Sequence, residues 1–178
     1  MGSTVRPIRH FLALCPDAPA RQALAALSGL HRGRTVHPDD LHLTLAFLGE
    51  LTVSPPALLE ALASASARCG PVAVVLDRAE TWPGPGAACA TGEVPRAAAL
   101  STALWQALAA FGYRADPRPF RAHVTLARGL PRSVGETVDP LPAPIGWTSR
   151  EFLLMASAAD AGPAGSARYR ILGRCPLD

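Results

Sequence analysis

The sequence predicts an α+β fold. Short apolar runs that read as strands are mixed with stretches of helical spacing, without the strict βαβ alternation of a doubly wound sheet. Eighteen Pro and 15 Gly in 178 residues demand frequent turns and short elements. Hydrophobic content of 49% against 17% charged residues excludes a disordered chain and supplies a sizeable core. That length suits one domain spanning residues 1–178, or two small lobes sharing an interface.

Ile8 to Leu14, closed by Cys15-Pro16-Asp17, reads as a first, largely buried strand. Ala18 to Leu30 carries Ala23, Leu24, Leu27 and Leu30 at helical spacing, with Asp17 or a neighbour as N-cap and Gly29 and Gly33 marking its end. Leu41 to Leu48 is a strand between Pro38-Asp39-Asp40 and Gly49-Glu50. Ser54-Pro55-Pro56 opens a second helix through about Arg68, with a Ser cap and Pro in the first turn. Val72 to Leu76 is a short β-branched strand, Trp82 to Gly86 a tight turn or loop, and Ala87 to Thr91 the strand after it. Pro95 to Phe111 is the longest helical pattern, and Gly112 terminates it. Phe120 to Leu126 is another strand, and Pro131 to Pro144, with four Pro, an irregular connection. Glu151 to Ala156 and Arg168 to Leu172 read as closing strands on either side of a loop over 158–167.

Composition excludes several function classes. All 17 basic residues are Arg, so Schiff-base chemistry and a Walker-type phosphate loop, which both need Lys, are ruled out. No stretch approaches the roughly 20 apolar residues that span a bilayer, and Phe11 to Cys15 is too short for a signal-peptide core. Cys15, Cys69, Cys89 and Cys175 are scattered without CxxC spacing, which favours buried, reduced thiols in a soluble cytoplasmic protein. Aromatic content of 6% and a net charge of +3 argue against an extended single-strand binding groove.

One short pattern occurs twice. Leu41-His42-Leu43-Thr44-Leu45-Ala46 returns as Ala122-His123-Val124-Thr125-Leu126-Ala127, so two of five His share a His-x-Thr-Leu-Ala signature, each on a strand and each preceded by a helix. Residues two apart on a strand share a face. His42 and Thr44 therefore point one way and Leu43 and Leu45 the other, and His123 and Thr125 are likewise set against Val124 and Leu126. Side by side, two such strands would enclose two imidazoles and two hydroxyls, and imidazoles titrating near 6.5 supply a neutral base and a charged acid at one pH. The Thr hydroxyls and Arg128 suit phosphate oxygens. A lone strand His is usually structural, but repetition at one offset turns the reading of this pair to function. A catalytic zinc would need a third ligand, and neither motif carries one.

At these residues the chain resembles the two-histidine phosphoesterase superfamily, and within it the RNA 2',3'-cyclic phosphodiesterases of LigT or ThpR type, formerly called 2'-5' RNA ligases. Residues 9–14 resemble the family's opening strand, 40–49 its first signature, 118–128 its second and 169–177 its terminal strand. Ala122 stands where the family usually has Pro, which alters strand entry rather than chemistry. The resemblance implies a bilobal fold of two pseudo-symmetric antiparallel sheets flanked by helices around a central cleft. It implies hydrolysis of RNA 2',3'-cyclic phosphate ends to 2'-phosphomonoesters with no cofactor and no metal. His42 would protonate the departing 3' oxygen and His123 would activate water, while Thr44, Thr125 and Arg128 would hold the phosphate; the sequence is symmetric enough to permit the reverse division of the histidines. RNA ends or small cyclic nucleotides are the expected partners, with no membrane and no obligatory protein partner, for a monomer. Rival readings are ADP-ribose cyclic phosphate or 2'-5' linked oligonucleotides as substrate, or a non-catalytic module that binds RNA phosphate.

By alternation Phe47 is a core residue that reaches the cleft only if a bulge turns it there. His31 and His37 read as exposed, His10 as undecided, Tyr169 as either core or cleft, and Arg114, Arg118 and Arg121 as a candidate positive lip.

Overall fold

The computed structural model describes residues 8–131, 133–157 and 166–178. Its strands are β1 (His10–Leu14), β2 (Arg34–Thr35), β3 (Leu43–Gly49), β4 (Val72–Trp82), β5 (Ala87–Thr91), β6 (His123–Arg128), β7 (Thr137–Ser149), β8 (Glu151–Ser157) and β9 (Tyr169–Pro176). The helices are α1 (Ala18–Ser28), α2 (Pro55–Ser66) and α3 (Pro95–Ala109), with a short 3-10 turn over Pro38–Asp40. Asp17 caps α1, its carboxylate accepting the Ala20 N–H at 3.0 Å. Ser54 occupies the cap position of α2 without a side-chain capping bond. The prolines that follow it leave fewer amide donors to satisfy.

The architecture is α+β, as expected. The strands form one sheet in the order β7-β4-β5-β6-β3-β1-β8-β9, with every ladder antiparallel and β2 alongside β6. This differs from the two separate sheets the resemblance implied. The half built on β3 and the half built on β6 are joined through the pair Leu43↔Val124. That junction lies inside the two repeated motifs, so each half contributes one motif to the centre of the sheet.

The helices cover one face of the sheet. Leu12, Leu14, Leu43, Leu45, Leu76, Val124 and Leu126 pack there with Leu24, Leu58, Leu62, Leu100, Leu104 and Leu108. Each fully buried Leu contributes about 1.5–3 kcal/mol. The packing crosses the midline: α1, which follows β1, lies on β6 and β7, whereas α3, which follows β5, lies on β3 and β4. The other face carries a smaller cluster of Phe11, Ala13, Leu153 and Met155.

Three local departures from alternation shape that second face. In β3 the pairing with β1 skips Leu45, leaving Leu45 and Ala46 both buried and exposing Phe47. The Leu45 carbonyl accepts the buried Ser101 hydroxyl of α3 at 2.6 Å, so the disrupted ladder leaves no orphan there. In β6 the pairing with β5 skips Leu126 at the matching motif position, and Leu126 and Ala127 are both buried before exposed Arg128. In β4 the register shifts between Leu76 and Arg78. Val72, Val74 and Leu76 join the helix-side core, while Glu80 and Trp82 face the opposite side.

The two largest boundary differences from the sequence expectation fall in β4 and β7, and β9 also runs on to Pro176. The strand from Val72 does not stop at Leu76 but runs to Trp82, and the stretch read as an irregular Pro131–Pro144 connection holds the start of β7. β7 tolerates its prolines because it is an edge strand, and Pro142 and Pro144 fall in the register shift between Pro140 and Ile145.

Gly92, just after β5, sits where a Cβ would lie 2.2 Å from the Val75 carbonyl oxygen. Gly92→Ala should therefore lower stability by about 2–4 kcal/mol, read as a lower urea midpoint at unchanged slope.

Candidate active site

His42 stands just ahead of β3. Its Nδ1 lies 2.6 Å from the Asp40 carbonyl. A carbonyl only accepts, so Nδ1 carries the hydrogen and the neutral ring keeps its lone pair on Nε2. Phe11 stacks on the imidazole at 4.7 Å between centroids, and Tyr169 meets it edge-on at 5.3 Å. The buried Asp40 carboxylate fixes this aromatic wall. Its oxygens accept the backbone N–H of Arg168 at 2.9 Å and of Tyr169 at 3.1 Å, pinning the start of β9 beside the ring.

His123 opens β6 with the same anchor, its Nδ1 2.7 Å from the Arg121 carbonyl. Here the aromatic wall is Trp82, 4.8 Å from the imidazole, with the Arg121 guanidinium 4.8 Å over the indole. A buried carboxylate again stands behind the aromatic residue. Glu80 accepts from Trp82 Nε1 at 2.7 Å, from the Thr91 hydroxyl at 2.8 Å and from Arg121. Thr91 pairs with His123, and Cys89 with Thr125, across the β5–β6 ladder.

Because Leu43 opposes Val124, the antiparallel register sets residue 42 against 125 and residue 44 against 123. Both imidazoles and both hydroxyls thus gather about the midline of one face. The rings feel each other and a common cation. Burial pushes the His42 imidazole down to about 4, against its bond to the Asp40 carbonyl, with Arg128 and His123 adding to the depression. Burial also lowers His123, and Arg128 and Arg121 lower it further, while the Arg121 carbonyl and the Glu80 carboxylate oppose them. Both rings are therefore mainly neutral near pH 7, with two Nε2 lone pairs beside the Arg128 cation: an anion-binding centre between two proton carriers.

A family model described as the 2'-5' RNA ligase superfamily matches residues 15–160. The chain belongs to that superfamily. It is 32% identical over 177 residues to the RNA 2',3'-cyclic phosphodiesterase of Escherichia coli (strain K12), covering 96% of this chain and 97% of that protein. It is 31% identical over 135 residues to the protein of the same name in Geobacillus stearothermophilus, covering 67% of this chain but spanning only 41% of that relative's length. The crystal structure of E. coli LigT complexed with 3'-AMP superposes with a TM-score of 0.80 at 31% identity, covering 97% of this chain and 99% of that one.

Within this superfamily member, His42, His123, Thr44, Thr125 and Arg128 all reach the same face. Plain alternation would have turned Arg128 away, and the bulge at Leu126 brings it back. The bulge at Leu45 does the same for Phe47, which is 55% exposed and not a core residue. Tyr169 stands against the His42 ring, and Trp82 ends a strand instead of lying in a loop. His10 ties β1 to the end of β3, its Nδ1 2.9 Å from the Gly49 carbonyl. His31 and His37 are half-buried, not exposed, and the His37 Nδ1 accepts the Asp39 N–H at 3.2 Å. Of the Arg lip, Arg118 pairs with Asp116 and Arg121 with Glu80. Glu80 and Asp40 were missed, although a carboxylate two residues before a motif His, or two before an aromatic residue, is visible in the sequence.

Proposed function

We propose that this chain hydrolyses RNA 2',3'-cyclic phosphate ends to 2'-phosphomonoesters, by acid–base catalysis at His42 and His123 and without a metal. One observation carries the reading: two imidazoles from the two halves of one sheet, each with Nδ1 spent on a backbone carbonyl, offer free Nε2 atoms beside one guanidinium. One Nε2 takes a proton from water as its oxygen attacks phosphorus; the P–O3' bond breaks, and the other imidazole delivers a proton to the 3' oxygen. Arg128, Thr44 and Thr125 hold the non-bridging oxygens, where charge builds in the transition state. The name shared by the E. coli and Geobacillus relatives supports the substrate class. Arg128 supports metal independence, since a guanidinium acting on both imidazoles repels a divalent cation placed between them.

A specific observation favours assigning the two roles in the reverse of the resemblance. The Glu80 carboxylate faces His123 and favours its charged form, so the resting site keeps its proton more readily on His123 and leaves His42 as the base.

The single chain supplies both halves of the site, which supports action as a monomer. Its four free cysteines support a cytoplasmic setting. Among the described residues no helix is long and apolar enough to cross a membrane. Incubation with a 2',3'-cyclic nucleotide in EDTA should release the 2'-phosphate with a free 3'-hydroxyl. Binding without product would leave only a phosphate-binding module, and activity abolished by the chelator would end the metal-free mechanism.

A further inference from the structure

Each half backs its histidine with a buried carboxylate, but Asp40 accepts backbone amides whereas Glu80 accepts from side chains. Glu80 is 4% exposed, yet it carries no substrate-facing role in the chemistry above. Its three partners are the three groups that define the surroundings of His123. Trp82 packs on the imidazole, Thr91 lies opposite it across the ladder, and Arg121 provides the carbonyl that fixes its tautomer. No other carboxylate among the described residues is hydrogen-bonded to this cluster.

We propose that Glu80 is the positioning residue of His123: its buried carboxylate clamps Trp82, Thr91 and Arg121 so that the imidazole is held with Nε2 toward the midline. The proposal rests on the reading of His123 as catalytic and adds the group that sets it. Loss of the carboxylate releases the indole N–H and the Thr91 hydroxyl and leaves the Arg121 guanidinium without its ion pair. The Arg121 backbone is the anchor of the Nδ1 hydrogen, so a freed side chain disturbs the ring it orients. The Thr91 bond also ties β4 to β5 at the level of the histidine.

The charged and titratable groups facing His123 are few. Arg121 precedes it and Arg128 follows it, Glu80 comes from β4, and His42 from the start of β3. Cys89 of β5, a neighbour of Thr125, is pushed up to about 11 by burial and stays neutral. Glu80 is thus the negative charge that offsets two guanidinium groups.

Imidazole NMR spectra recorded through a pH titration read both histidines without substrate. Glu80→Gln keeps the size and removes the charge, so His123 should titrate at lower pH than in the wild-type protein while His42 moves less. Arg121→Gln alters a side chain that is 53% exposed and should shift His123 to higher pH, because one of the two guanidinium groups that lower it is gone while Glu80 remains. With a 2',3'-cyclic nucleotide, Glu80→Gln should lower kcat about 10- to 100-fold and change KM by less than about threefold.

A fall in melting temperature with the His123 titration and kcat per folded molecule both unmoved would make Glu80 merely structural and overturn the proposal. If Glu80→Gln does not fold, Arg121→Gln decides, and an unchanged His123 titration overturns it. Should the titrations move as stated while even the wild-type protein leaves the cyclic phosphate intact, positioning stands and the proposed activity falls.

Discussion

Alanine in place of His42 or of His123 should slow hydrolysis of a 2',3'-cyclic nucleotide by on the order of 10²–10⁴-fold, with little change in stability of the sheet. On the proposed mechanism both rings act in one transition state, so the double variant should be scarcely slower than the slower single one. The pH dependence has a definite sign. On that mechanism the productive enzyme carries one proton on the pair, so the rate should rise as the first group deprotonates and fall as the second does. Both imidazoles are depressed in the free site, His42 to about 4, so kcat/KM should peak on the acid side of an ordinary imidazole's range. A bound anionic substrate raises both proton affinities, and the alkaline limb of kcat should lie above that of kcat/KM. A substrate with sulfur at the 3' bridging position separates the two roles, because a thiolate leaves without a proton. It should restore the variant that lacks the acid and not the one that lacks the base. Rescue of His123→Ala would confirm His123 as acid; rescue of His42→Ala would return that role to His42.

The repeated motif was readable because it lies where the physics is simplest. Alternation alone places His42 with Thr44, and His123 with Thr125, on the face away from Leu43 and Val124, and the structure has them there. Alternation fails one residue later. A bulge has no short-range signature in Leu45-Ala46 or Leu126-Ala127, since both residues at each site are small or apolar and suit either face. Phe47 and Arg128 follow those bulges, and their orientation depends on pairing with β1 and β5, strands remote in the chain.

Long-range pairing also explains the other misreadings. Four prolines argue for an irregular segment, yet β7 pairs with β4 at the sheet edge, where the missing N–H groups leave no partner unsatisfied. Glu80 lies beyond Leu76, where the strand is expected to stop on sequence alone, and the shift after Leu76 turns it toward Thr91 and Arg121. Tyr169 could not be placed from its neighbours because the group that pins it, Asp40, lies 129 residues away.

Arg128 offers the second large effect, and its bulge makes the expectation specific. Arg128→Ala should lower kcat by about 10²–10³-fold, the loss that follows removal of one preorganised donor to a charge developing on phosphate oxygen. Arg128→Lys should recover only part of that loss, since an ammonium replaces the charge but not the planar two-point fork. The same substitution should reshape the pH profile. Arg128 lowers the proton affinity of both imidazoles, so its removal raises both, and the alkaline limb of kcat/KM should move to higher pH while the maximum falls. A residue that only bound substrate electrostatically from the rim would raise KM and leave that limb in place. The combined signature, lower kcat with a displaced limb, requires Arg128 to face both rings, and it does so only because the strand carries an extra residue at Leu126.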